Sequence, residues 1–302
     1  MRSHIRVVAL LCLGTAPRVA AQVAVASHPE HPVQGTLFEL EVLPGAGAQV
    51  SRIDGEAAGE MLHLGTTDGV RWTGLAPAPM DGPDSLRLRL VMIRPASAET
   101  VFAVLGIAKG AYGSERLRVA PNMAEPDSAS QIRIAREIAQ ARAVSREAHE
   151  TERLWREPFV APRSSRITSE FGTAREFNGK VTSRHLGLDF AGAVGEPVRA
   201  ANRGRVALVA RFYLAGNVVY LDHGEGLISA YFHLSRTDVK LGDIVERGQI
   251  IGAVGQTGRV TGPHLHWVTR YGGTTVSPMS VLGLLGETQP EPGDTAPRGQ
   301  RQ

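Results

Sequence analysis

The sequence predicts a mainly β protein of two domains joined by a short helix, and three observations carry that expectation. Apolar and polar residues alternate in short runs along most of the 302 residues, divided by many of the 34 glycines and 18 prolines. That is the pattern of half-buried strands and tight turns. One long stretch, Ser128–Trp155, has no Gly or Pro and is rich in Ala, Glu and Arg, so it reads as a helix. The chain is also longer than a single domain usually runs. With 42% hydrophobic and 21% charged residues, wholesale disorder is excluded.

Met1–Ala21 reads as a secretory signal peptide. Arg2 and Arg6 precede the apolar run Val7–Leu13, and Val19-Ala20-Ala21 offers small residues before a cut near Gln22. The run is too short to span a bilayer. The expectation is an exported chain, periplasmic or associated with the cell envelope, with no stable membrane span after cleavage. Cys12 is the only cysteine and lies inside this segment, so the mature chain has no disulfide or thiolate chemistry. The formal charge of +3 rests on Arg2, Arg6 and Arg18. Beyond them 30 basic side chains face 30 acidic ones, and composition gives no support to a nucleic-acid partner.

Residues 22–121 carry the alternating runs Thr36–Val42, Leu86–Val91 and Val101–Leu105, which predict a β-sandwich-like domain. Its histidines, His28, His31 and His63, are scattered, and the domain reads as a spacer or docking module. Residues 127–157 form the linker helix, with Ile132, Ala135, Ile138 and Ala139 recurring at helical spacing and Pro158 and Pro162 ending it. Residues 160–280 are again strand-like, clearest in Val206–Ala210, Asn217–Leu221 and Leu227–His233. Gly224-Glu225-Gly226 joins the last two as a hairpin. The tail, 287–302, is Pro, Gly, Gln and charge, and is expected to be disordered.

The second domain gathers five of the ten histidines. Ser183-Arg184-His185-Leu186-Gly187-Leu188-Asp189 sets an imidazole four residues before a carboxylate. In Gly262-Pro263-His264-Leu265-His266-Trp267 two imidazoles occupy alternate positions, which in a strand share one face. The same alternation would place His233 with Tyr231 and Ser229, opposite Phe232 and Ala230. Imidazoles on otherwise apolar faces need partners. Two histidines and a carboxylate make a catalytic zinc set, with the fourth position left for water. His223 reads as an exposed hairpin residue and His149 as part of the linker helix, so neither is taken into the site.

From about Pro162 to Pro278 the chain resembles the lysostaphin-type, or LytM-domain, zinc metallopeptidases that cut peptidoglycan peptides. The resemblance lies in Ile167–Gly172, His185–Ala191, Val219–Gly224, Tyr231–Ser235 and Gly262–Trp267. Longer members of that family are similar in carrying a β-domain and a helix upstream. The resemblance implies one zinc per chain on His185, Asp189 and His266, with His233 and His264 acting on the substrate. It implies a zinc metalloendopeptidase that hydrolyses bonds in peptidoglycan cross-links or stem peptides through metal-activated water. Which of His233 and His264 is the base stays open.

The alternative is a non-catalytic LytM-like activator of a cell-wall amidase. Missing ligands mark such proteins, and none is missing here. A phosphotransferase carrier would have no use for an export leader or for His264-Leu265-His266, and a lipoyl carrier needs a hairpin-tip lysine. Gly252, Gly255, Gly258 and Gly262 read as turns that let an extended peptide approach the backbone. Tyr213, Asn217 and Tyr231 are candidate groove residues. The motifs do not specify the oligomeric state, the bond cut or the role of 22–121.

Overall fold

Leu86, Leu88, Leu90 and Met92 are buried along the strand Ser85–Arg94 while Arg87 and Arg89 between them are exposed. This period-two burial builds the first domain. The computed structural model describes residues 23–45, 49–179 and 181–284; the expected leader at 1–21 and tail at 287–302 lie outside them. Ser85–Arg94 belongs to one antiparallel four-stranded sheet with Glu60–His63, Arg52–Ala57 and Ser97–Gly106. A second comprises Ala24–His28, Leu37–Leu43, Trp72–Pro77 and Gly65–Thr66. Phe38, Leu40 and Val42 of one sheet and Ile53, Leu88 and Leu90 of the other share a core. The expected sandwich is present.

The linker helix is Ser128–Glu147, capped by Asp127, which accepts from the Ser130 amide at 2.7 Å. It ends earlier than the Gly- and Pro-free stretch suggests: Ala148–Glu150 is a 3-10 turn. Its packed side is also a different one. Ile132, Ala135, Ile138 and Ala139 are exposed, whereas Ala141, Ser145 and Ala148 are buried. Small residues let the helix lie close to Leu208, Phe212, Ile228 and Val268 of the second domain. Closeness of approach, not apolar spacing, chose the face.

The second domain is built on an antiparallel sheet in the order Ile167–Ser169, Leu188–Ala191, His264–Tyr271, Leu227–Leu234, Gly216–Gly224, Gly204–Phe212, Ile244–Val245, with Thr274–Val276 also paired to His264–Tyr271. On one face Leu188, Phe190, Leu221, Tyr231 and Trp267 fill a core. The linker helix covers one end of the other face, over Tyr220, Ile228 and Val268, and the remaining end stays open. The Gly224-Glu225-Gly226 hairpin forms as expected, with Glu225 and Gly226 both at positive φ, 51° and 82°. No helix among the described residues is long and apolar enough to cross a membrane.

A separate three-stranded sheet flanks the open end. Ala174–Phe177 pairs with Val181–Arg184 and, in parallel, with Ser114–Leu117, which lies upstream of the linker helix. The domains also meet elsewhere: the Ser277 amide donates to the Gly35 carbonyl at 2.6 Å and the Tyr271 hydroxyl to the Met61 carbonyl at 3.0 Å. His149 sits at this junction beyond the helix, with Nδ1 2.9 Å from His63 Nε2 and Nε2 3.3 Å from Glu60.

His223 is fully buried, not exposed at a turn. The Ala201 amide donates to the Tyr231 hydroxyl, which reaches Ser229 Oγ, which reaches His223 Nε2; His223 Nδ1 donates to the Arg203 carbonyl. Burial pushes this imidazole down to about 4, against its hydrogen bond to Arg203. The fold therefore favours the neutral ring. That contribution is complete above about pH 6.5 and is lost as pH falls toward 4, amounting to about 3 kcal/mol. His223→Gln is expected to show a shallower loss of stability over this window in urea unfolding; parallel loss in both proteins would refute it.

Candidate metal centre

Strand register assembles the site. Asp189 lies opposite His266 and Ala191 opposite His264 on adjacent strands, while Phe232 faces His266 from the other side. Directly opposed residues project to the same face, here the uncovered end of the sheet. His185 arrives from the preceding loop, where its backbone bonds Thr173 and Gly172 at 2.8 and 2.7 Å. His185 Nε2, Asp189 Oδ1 and His266 Nδ1 then converge. They stand 3.0 Å apart for His185–Asp189, 2.8 Å for His266–Asp189 and 2.9 Å for His185–His266.

Proton counting shows what this triangle needs. His185 Nδ1 lies 2.8 Å from the Glu170 carbonyl, which can only accept, so the proton of the neutral ring is on Nδ1. Nε2 therefore presents a lone pair to the carboxylate at 3.0 Å, with no hydrogen between them. Two buried electron pairs face each other. A cation resolves the conflict, and the two nitrogens and one oxygen suit zinc. Burial would raise the Asp189 carboxyl, but the His185 and His266 rings set against it hold it well below the carboxylate range. Burial carries His266 down to about 4, so its ring is neutral near pH 7 and can serve as a ligand.

His233 reaches the same face by a backbone irregularity. Against Gly216–Gly224 the register passes from Val219↔Tyr231 to Asn217↔Leu234, so Phe232 and His233 together oppose Val218. This is a β-bulge, and such an extra residue re-aims a side chain. His233 takes φ +62°, the left-handed region. Its ring leaves the side of Tyr231 and Ser229, where alternation would put it, and lies 4.9 Å from the His264 ring and 5.8 Å from that of His266.

The bulge is fastened by His233 Nδ1 donating to the Thr257 carbonyl at 2.7 Å and Asn217 Nδ2 to the Leu234 carbonyl at 2.8 Å. A Cβ on Gly255 would collide with the His233 carbonyl and the Ser235 amide, so glycine is required where that loop crosses. His264 Nδ1 donates to the Gly262 carbonyl at 2.8 Å. Both histidines thus keep Nε2 as a lone pair; that of His264 is 3.6 Å from Asp189 Oδ1. Burial, with His266 and His264 beside it, holds His233 well below the usual imidazole range.

The five residues expected from the sequence therefore come together, but the expected groove residues do not join them. Tyr231 is in the core, Asn217 holds the bulge, and Tyr213 bonds the Glu137 carboxylate and the Asn122 carbonyl. Gly252 and Gly255 pack against neighbouring chain; Gly262 has open space beside it. A cleft of about 920 Å³ runs over the site, walled by Met80 of the sandwich, Glu115, Ile138 of the helix, Phe177, Phe232 and Arg259. None of these wall residues was assigned to the site from sequence, because a lone isoleucine or arginine carries no motif.

The model of peptidase family M23 matches residues 183–278, which contain all five site residues. The peptidoglycan DD-endopeptidase ShyA of Vibrio cholerae is 44% identical over 119 residues, 38% of this chain and 27% of that protein. The DD-carboxypeptidase/endopeptidase Mpg of Neisseria meningitidis is 40% identical over 117 residues, 39% of this chain and 27% of that one. The chain spans about a quarter of the length of these curated relatives. A solved Pseudomonas aeruginosa structure described as a peptidase M23 matches with TM-score 0.61 and 27% identity. It covers 83% of this chain and 95% of its own, so the likeness extends upstream of the matched residues. Residues 183–278 of this chain are accordingly a peptidase family M23 domain.

Proposed function

We propose that the chain is a zinc metalloendopeptidase hydrolysing peptide bonds in peptidoglycan cross-links or stem peptides. The observation that carries this reading is the convergence of His185, Asp189 and His266 beside two further imidazoles whose Nε2 lone pairs are free. His185, Asp189 and His266 would hold one zinc. When bound, the ion supplies Lewis acidity, polarising a carbonyl and making water easier to deprotonate.

The chain's own residues do the rest. The Thr257 and Gly262 carbonyls hold His233 and His264 in the tautomer that accepts a proton at Nε2. One imidazole takes the proton from water and, as imidazolium, returns that proton to the leaving amine; the other, carrying an Nε2 proton taken up from solvent, supports the developing oxyanion and keeps it. Burial keeps His233 neutral, ready to accept. The cleft, about 920 Å³ and walled partly by apolar residues, suits a peptide substrate. The names of the Vibrio and Neisseria relatives support peptidoglycan as that substrate, and the cell envelope, reached through the leader at 1–21, as the place of action.

Purified protein, loaded with zinc, is expected to release muropeptides from purified sacculi, identified by mass spectrometry. Release should stop with a chelator and return with zinc. A zinc-loaded protein that releases nothing would overturn the reading, and would favour an amidase activator if it instead stimulated an added amidase.

A further inference from the structure

Behind the convergent ligands lies a second set of contacts that reaches outside the family M23 domain. Asp189 turns Oδ1 toward the two imidazoles, and its other oxygen, Oδ2, accepts from Arg175 Nη2 at 2.5 Å. Arg175 is itself held through Nε by Glu115 Oε1. The same Glu115 oxygen accepts from Ser169 Oγ at 3.0 Å, and Ser169 Oγ lies 3.2 Å from His185 Nδ1. One carboxylate thus stands behind two candidate ligands, supporting Asp189 through Arg175 and His185 through Ser169. Arg175 and Asp189 side chains are only 15% and 8% exposed, so the pair is shielded from water. Glu115 lies on Ser114–Leu117, the strand that precedes the linker helix and pairs in parallel with Ala174–Phe177.

We propose that Arg175 and Glu115 are positioning residues of the metal site, and that the upstream strand Ser114–Leu117 completes it. Arg175 fixes the carboxylate of Asp189 so that one oxygen is presented to the metal, and Glu115 fixes Arg175. This rests on the reading of His185, Asp189 and His266 as zinc ligands. Contacts of this kind behind a ligand typically change metal affinity 10–100-fold.

Charge alone makes opposite demands on the two residues. Removing Glu115 leaves the surroundings more positive and should weaken cation binding. Removing Arg175 leaves them more negative and should tighten it. Positioning requires that both removals weaken binding.

The test is zinc titration of full-length apo protein against a chromophoric chelator, for the wild type, Arg175→Ala, Arg175→Lys and Glu115→Ala, with far-UV circular dichroism as the check on folding. Arg175→Ala and Glu115→Ala should each bind zinc roughly 10–100-fold more weakly. Arg175→Lys, which can reach one of its two acid partners, should fall between wild type and Arg175→Ala. Cobalt-substituted Arg175→Ala should show a shifted visible spectrum, a change that loss of bulk stability does not produce. Unchanged or tighter zinc binding by folded Arg175→Ala overturns the inference while leaving the zinc reading intact. If the wild type binds no zinc, both fall. Should Arg175→Ala fail to fold, Arg175→Lys and Glu115→Ala decide: wild-type affinity in both refutes the inference.

Discussion

Replacing His185 with alanine is expected to empty the metal site and end peptide hydrolysis. His185 supplies one of three convergent atoms, and it is the one whose proton is committed elsewhere, to the Glu170 carbonyl. Without it the remaining Asp189 oxygen and His266 nitrogen form a two-point site, too few for a catalytic zinc. Zinc measured by atomic absorption after gel filtration in metal-free buffer should drop from one per chain to near none. Sacculus digestion should drop to the level of chelated wild type. Zinc also stabilises whatever fold it binds, so the rise in Tm on adding zinc should vanish in the variant. A His185→Ala protein that keeps one zinc and digests sacculi would remove the basis of the proposed activity.

His264→Ala and His233→Ala should behave in the opposite manner, retaining zinc while turnover falls by about 10²–10⁴-fold, the usual worth of a positioned acid or base. Neither residue is needed to close the ligand triangle, since His185, Asp189 and His266 meet without them. Each has its Nδ1 proton tied to a carbonyl, so the ring is oriented and its Nε2 is free. If they serve one step jointly, the double variant should lose little more than the worse single, because groups that act as a unit are not additive. The loss should appear in kcat, with zinc content at one per chain throughout. Full turnover in either variant sinks this division of labour, as does loss of zinc from both.

Much of this was legible because its signals are local. Alternation of apolar and polar residues announced the sheets, the triplet Gly224-Glu225-Gly226 announced the hairpin turn, and the spacing of His264 and His266 announced a shared face. What escaped depended on distant partners or on departures from regularity. His233 is turned over by one extra residue, which alternation cannot foresee. The linker helix packs through small residues, Ala141 and Ser145, not isoleucines, because its neighbour comes close. His223 looks like a turn residue until Arg203 and Ser229 are seen to enclose it. Glu115 and Arg175 are 60 positions apart and resemble ordinary surface charges on strands; only parallel pairing makes them neighbours.

The bulge at Phe232 and His233 carries a consequence for how this chain can vary. Most positions tolerate exchange of one side chain for another, but here the count of residues matters as much as their kind. If the same residues ran on as a regular pleat, with no extra residue opposite Val218, the imidazole would fall on the inward side with Tyr231. The motif would still be readable in the letters of the gene while its chemistry was gone.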